Sequence, residues 1–551
     1  MRQYLLSPFR RFFARFAIAG AICLAPAFAQ AQPESASDAS HAIRDILDRA
    51  HAPHIDVATL NLAALRSFYD RRLDAPAWSG NPAAAQDAKT MLAALEHADE
   101  DGLDPFAYHA GAAAFRIAPQ TGVEQAERDI LLTDGALRYV RELRAGRAEL
   151  RALDRDVDLP EQPFDAVGAL EAALEARDLP MFLAGLAPPH PEYQRLKAAL
   201  ATYRRIAAAG GWLPLPPLMK GNIAAGDAGP LRARLALEDD QAVRSDTPDE
   251  LAEALKRFQL RHGLDGDGRL VRETLVALNV SASDRAMEIE ANMERWRWLP
   301  RTLEPVRIVI NAAAGELDVA SNGESVLSSR VIVGRPQAPT PILRAVATSV
   351  TVNPPWNVPS AIARREIWPK LKKNRHYLQS EDMILVNGPP GDPQGLDIDW
   401  RGLNAFPYRV RQLPGPRNAL GQIKLELPNR FDVYLHDTPA KEAFELNERN
   451  LSHGCVRVQQ ILPLASYALS SDASAMVAEL EKAMASGATE HIAMTRPLPV
   501  YFLYWTSFVD ADGTVEFRPD VYGRDERLIA QLESRKAGES FTLALSGCAR
   551  T

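Results

Sequence analysis

Along this chain the spacing of hydrophobic and polar residues changes its period once, near residue 300. From about Asp38 to Arg234, apolar side chains return at steps of three and four. Leu60, Leu62, Leu65, Phe68 and Tyr69 form one such stretch, and Ile130, Leu131, Leu137, Tyr139 and Val140 another. That spacing lines one face of an α-helix, so the region reads as a helical scaffold. Asp101-Gly102-Leu103-Asp104-Pro105 and Gly210-Gly211-Trp212-Leu213-Pro214 punctuate it as turns. Residues 246–280 read as a small helical unit of their own. Thr247-Pro248-Asp249-Glu250 opens a helix continued by Leu251, Leu255, Phe258 and Gln259. Gly263 to Gly268 turns the chain, and Glu273 to Asn279 forms a second helix.

After Glu294-Arg295-Trp296-Arg297-Trp298-Leu299-Pro300 the pattern alternates. Strands are predicted at 306–310, 316–319, 330–333, 349–352, 424–427 and 431–435. Two irregular stretches interrupt them. Pro359 to Lys373 should be a helix whose Arg364, Arg365, Lys370, Lys372 and Lys373 form a solvated basic face. The Pro/Gly-rich run from Asn387 to Asn418 is long enough to be a lid or binding loop. The expected fold class is α+β and multidomain: a helical scaffold over 30–245 that continues at 281–303, the inserted module at 246–280, a mostly β domain over 304–495 with its lid at about 387–418, and a C-terminal extension from 496 to 551.

The length of 551 residues suits roughly three or four domains at about 150 residues each. With 46% hydrophobic residues the chain can bury cores without covalent staples, and a net charge of −8 offers no global attraction to nucleic acid. The first residues read differently. Arg2, Arg10, Arg11 and Arg15 precede a short apolar run, Phe16 to Ala25, with small-x-small sites at Ala27-Phe28-Ala29 and Ala29-Gln30-Ala31. This is the pattern of a secretory leader over 1–29, and it predicts a periplasmic protein; an uncleaved inner-membrane anchor is the alternative.

Export matters for the cysteines. Loss of the leader removes Cys23 and leaves Cys455 and Cys548, too few for a disulfide scaffold. Cys455 stands in Ser452-His453-Gly454-Cys455-Val456-Arg457, where an imidazole, a flexible glycine and a guanidinium flank the thiol. Such neighbours are expected to lower a cysteine pKa, and consecutive N–H groups beside a nucleophile can form an oxyanion hole. A buried cysteine with a chance histidine nearby is the plain alternative. Of His376, His436, His453 and His491, His436 directly follows a predicted strand, where a rigidly held imidazole can act as a general base.

His436, fifteen intervening residues and then Ser452 to Arg457 match the signature of the L,D-transpeptidase (YkuD-type) catalytic domain, which this part of the chain resembles. Val333-Gly334-Arg335-Pro336, Asn353-Pro354-Pro355-Trp356-Asn357 and Gly415-Pro416-Arg417-Asn418 also look like that family's loops. The stretch from Leu255 to Gly268 with Thr274 to Asn279 resembles a peptidoglycan-binding module, although Val271 stands where that family often has glycine. Together they resemble the large, YcbB-like subgroup.

The resemblance implies Cys455 as nucleophile, His436 as base oriented by a carbonyl near Asp437, and an oxyanion hole from the N–H groups of His453, Gly454 and Cys455. Arg457, Ser452, Asn353, Trp356 and Asn357 would position substrate. It implies peptidoglycan peptide stems as partners, beside other cell-wall synthesis proteins, with neither metal nor cofactor. Arg457 departs from the asparagine of many members. Rival readings use the same thioester, as a hydrolase or to attach a protein to the wall, or make the chain a non-catalytic wall-binding protein.

Overall fold

The computed structural model describes residues 34–533 apart from 113, 114, 117, 217–227, 239–247 and 471. The leader, Thr247 and Cys548 lie outside the described residues. Among the described residues, no helix is long and apolar enough to cross a membrane.

The scaffold is built around helix Gly122–Ala145, which opens with a capping box between Thr121 and Glu124. It is buried on nearly every side by Ile43, Leu65, Phe68, Tyr69, Met91 and Leu95 from the surrounding helices. Its buried Asp129 is satisfied by the Tyr69 hydroxyl (2.7 Å) and by the N–H groups of Ala77 (2.8 Å) and Trp78 (3.0 Å).

The change of period at 300 is not where the hydrophobic cores divide. Helices Pro191–Ala208 and Ala282–Arg297 contribute Tyr193, Leu196, Leu200, Ile289, Met293 and Trp296 to the same core as Ile308, Leu317 and Val500 of the β domain. Buried Glu294 ties this layer to the scaffold, accepting from the Arg147 N–H (2.5 Å) and pairing with Arg297 (2.9 Å). The small module is likewise larger than its sequence pattern. Its core joins Leu251, Leu255, Phe258, Leu275 and Leu278 to Leu231 and Leu235 of helix Ala228–Ala236 and to Leu215.

In the β domain eight strands close into a barrel. Ile342–Val352 pairs with Glu490–Leu503, and the order continues through Val306–Asn311, Glu316–Ser321, Glu324–Gly334, Val456–Val458, Leu435–His436 and Ile423–Glu426, which returns to pair with Ile342–Val352. Glu490–Leu503 crosses the boundary expected at 495. Pro497 and Pro499 disguise a central strand; the register shift between Ala493 and Leu498 takes in Pro497, while Pro499 lies opposite Val346. The strand expected at 431–435 is only Leu435–His436, because Asp432 takes a positive φ of 54° and turns the chain first.

Residues 353–422 leave the barrel after Val352 and re-enter at Ile423, which pairs with Val352. This insert has its own core of Val358, Ile367, Leu371, Leu385, Trp400, Phe406 and Val410, and its own sheet of Trp356–Asn357, Val410–Gln412 and Met383–Leu385. The basic helix and the Pro/Gly-rich run therefore belong to one folded unit rather than to separate loops. Within Ser360–Lys373 the turn Ala363–Ile367 is a π-turn, directly ahead of Pro369, whose ring and missing N–H a regular α-turn would not accommodate.

Candidate active site

Strand alternation decides which side chains meet at Cys455. Leu435 pairs in parallel with Val456, and His436 with Arg457. Leu435 and Val456 are fully buried in the barrel core, so Tyr434, His436, Cys455 and Arg457 share the opposite face. On the other side His436 pairs with Lys424, whose ammonium lies 4.1 Å from the Tyr434 ring centre. The Tyr434 and His436 rings meet edge to face at 5.5 Å.

His436 is buried, and its Nδ1 donates to the Asp437 carbonyl at 2.5 Å. That bond puts the ring proton on Nδ1 and leaves Nε2 as the basic nitrogen. Burial pushes the His436 pKa down to about 3, with the charges of Arg457 and Lys424 acting the same way. The imidazole is therefore uncharged at neutral pH. Asp437 is itself fixed: its carboxylate accepts from the Gln422 N–H (3.0 Å) and pairs with Lys441. Gly421, at a φ of 61°, packs so close to Asp437 that a Cβ would come within 2.3 Å of Oδ2.

The Cys455 Sγ lies 3.7 Å from the Asp432 carbonyl and receives a hydrogen bond from the Tyr434 hydroxyl. Burial pushes the thiol pKa up, and the Tyr434 donors and Lys424 only partly offset it. This corrects the expectation that the flanking groups lower it: desolvation of the thiolate outweighs them. At rest the thiol and the imidazole on this face are both neutral.

Around the thiol the loop is held internally. The Ser452 hydroxyl donates to the Cys455 carbonyl (2.6 Å) and accepts the Gly454 N–H (3.1 Å). Two expectations change. Ser452 is buried and shapes the loop instead of meeting substrate, and the Gly454 N–H is already engaged. The oxyanion donors narrow to the N–H groups of His453 and Cys455, which carry no hydrogen bond to a described residue. Gly454 remains essential in another way, since its φ of 116° lies in the region that favours glycine. Beneath it, buried Thr340 donates to the Gly454 carbonyl (2.9 Å) and accepts the Gly334 N–H (2.9 Å). The His453 ring points to the insert, where Nε2 bonds Glu366 at 2.5 Å.

The other sequence-chosen residues separate. Asn353 is buried at a φ of 47°, and its amide donates to the carbonyls of Ala483 (3.1 Å), Met484 (3.2 Å) and Ala488 (3.1 Å) at the end of helix Ala473–Ser486. It caps a helix and has no donor left for substrate. Trp356 does reach the site, with its indole hydrogen-bonded to the Tyr434 hydroxyl, while Asn357 accepts from Arg411 (2.8 Å) on the insert. Arg457 faces the site with a buried Nε that has no partner among the described residues. His376 sits on the insert, and His491 bonds Thr351 (2.9 Å), away from the pair.

Sequence reasoning missed Tyr434, Lys424, Thr340 and Glu366. Tyr434 was within reach, two residues before His436 and so on the same strand face. The other three depend on strand register and on the insert, which carry no local signal. Among the described residues no three His, Cys, Asp or Glu side chains come together as a metal cluster.

Residues 305–478 match the family model described as the L,D-transpeptidase catalytic domain. The chain carries an L,D-transpeptidase catalytic domain. Residues 63–200 match the model described as a scaffold domain, so the L,D-transpeptidase domain follows a helical scaffold. A Haemophilus influenzae protein named provisionally as an L,D-transpeptidase is 32% identical over 271 residues, which is 48% of this chain and 54% of that protein. The chain thus spans about half the length of that curated relative. Among solved structures, L,D-transpeptidase 3 from Mycobacterium tuberculosis with a faropenem-derived adduct is 15% identical with a TM-score of 0.19, covering 36% of this chain and 60% of its own. An L,D-transpeptidase from Mycobacterium smegmatis is 13% identical at 0.17, covering 36% and 58%. Scores this low do not bear on the fold of the L,D-transpeptidase domain.

Proposed function

We propose that this protein is a cysteine-dependent peptidoglycan L,D-transpeptidase acting in the periplasm after export on its leader. The observation that carries the reading is the parallel pairing of Leu435–His436 with Val456–Val458, which sets His436 and Cys455 on one face, with Nδ1 of the imidazole bound to the Asp437 carbonyl. The thiol proton passes to His436 Nε2 as Sγ attacks the carbonyl between the L-centre of the third stem residue and D-Ala. Charge developing on that oxygen is met by the N–H groups of His453 and Cys455. His436 returns the proton to the departing amine, D-Ala leaves, and the stem remains as a thioester on Cys455. An amine of a neighbouring stem then attacks the thioester, His436 takes its proton and passes it to the departing Cys455 sulfur as the C–S bond breaks, and a 3→3 cross-link forms. Because thiol and imidazole are both neutral at rest, proton transfer accompanies attack rather than preceding it. The unpartnered Arg457 Nε beside the pair suits a carboxylate of the donor stem.

Incubating the mature protein with tetrapeptide-containing muropeptides and following products by mass spectrometry tests this. Release of D-Ala with 3→3 dimers is expected, and a Cys455→Ala variant should give neither. Tripeptides without dimers would mean that water resolves the thioester. Activity that survives in Cys455→Ala would end the mechanism.

A further inference from the structure

The loop 452–455 is braced from two sides. On the barrel side, Thr340 links the Gly334 N–H to the Gly454 carbonyl. The second brace comes from the insert, and it is a single carboxylate oxygen. Glu366 Oε1 accepts from His453 Nε2 at 2.5 Å and from Arg335 Nη2 at 3.1 Å. Arg335 in turn donates its own N–H to the Ser452 carbonyl at 2.9 Å. One oxygen of the insert is therefore tied to His453 directly and to Ser452 through Arg335, the two residues that lead into Gly454 and Cys455.

Two features make this more than a surface ion pair. Glu366 stands in the π-turn Ala363–Ile367, which rotates the helix locally ahead of Pro369. The insert has its own core, and its two ends lie side by side on the barrel, where the Asn353 N–H donates to the Gln422 carbonyl (2.8 Å). Burial raises the Glu366 pKa, but the hydrogen bonds and charges of His453 and Arg335 outweigh it and hold the carboxyl below its ordinary value, ionised at neutral pH. We infer that Glu366 is a positioning residue that couples seating of the insert to the shape of the oxyanion loop, holding the backbone at His453 and Cys455 in the orientation acylation needs. The inference rests on Cys455 being the nucleophile.

The test compares the mature protein with Glu366→Ala and Glu366→Gln in three measurements. Acylation of Cys455 by a carbapenem, followed by intact mass, needs the oxyanion loop. Alkylation by iodoacetamide reads the thiol alone, and the thermal midpoint reads the fold. Glu366→Ala should slow acylation by about tenfold or more, the scale of a misplaced oxyanion donor, with alkylation and midpoint near those of the parent protein. Glu366→Gln keeps an oxygen that can accept both donors, so it should recover most of the rate. Parent-like acylation in Glu366→Ala overturns the inference. So does a Glu366→Gln variant as slow as Glu366→Ala, or acylation and alkylation falling together. A parent protein that no carbapenem acylates defeats the transpeptidase reading, and this inference with it.

Discussion

Tyr434→Phe isolates what stabilises the thiolate. The substitution removes one hydroxyl and leaves the ring between the Lys424 ammonium (4.1 Å) and the His436 imidazole (5.5 Å). That hydroxyl donates to the Cys455 sulfur, and it stays protonated because burial and the neighbouring thiol push its own pKa up. A hydrogen bond to a charged acceptor contributes about 1.5–3 kcal/mol. At about 1.4 kcal/mol per pKa unit, its loss raises the Cys455 pKa by about one to two units and cuts the thiolate present at fixed pH by about 10- to 100-fold. Alkylation by iodoacetamide, followed from about pH 6 to 10 in both proteins, reads this directly, since the thiolate is the reacting form. The profile of the variant should move to higher pH. An unchanged alkylation profile would refute the argument, because it would mean that the hydroxyl contributes nothing to the charged sulfur.

Three further outcomes are expected. The folded protein holds His436 neutral, while the unfolded chain takes up a proton near 6.5, so stability falls as pH drops below that value and continues to fall until about 3. At pH 5 this group alone costs about 2 kcal/mol, so the thermal midpoint of His436→Gln should fall less between pH 7 and 5 than that of the parent; equal slopes would contradict the shift. Thr340→Val strands the buried Gly454 carbonyl and Gly334 N–H, costing about 1–3 kcal/mol, and should lower the thermal midpoint together with acylation of Cys455. Asn353→Ala should lower the midpoint by a similar mechanism while leaving the acylation rate of the folded protein near that of the parent. A selective loss of acylation would return Asn353 to the substrate site.

The site was legible where its chemistry is local. His436 and Cys455 announce themselves through residue type and spacing, and Gly454 through the positive φ its loop requires. Residues whose partners are distant in sequence were harder to read. Asn353 was expected at the substrate because its loop resembles one of the family's, yet its partners are the carbonyls of a helix more than a hundred residues later. The strand Glu490–Leu503 was obscured by two prolines, one of which lies in a register shift. The state of the thiol was misjudged for a related reason, since flanking charges can be counted along the chain and desolvation cannot.

By itself, then, the sequence determined the periodicities, the change of architecture near residue 300, and the choice of His436 and Cys455 as the two side chains proposed to react, because each is written in neighbouring residues. Tertiary structure decided the rest. Closing the barrel set the register that brings Tyr434, His436, Cys455 and Arg457 to one face with Lys424 beside them. It also folded residues 353–422 into a unit that delivers Glu366 to the nucleophile loop. Register, burial and the reach of the insert come from long-range packing. No local pattern of hydrophobic and polar residues specifies which strand will lie beside which.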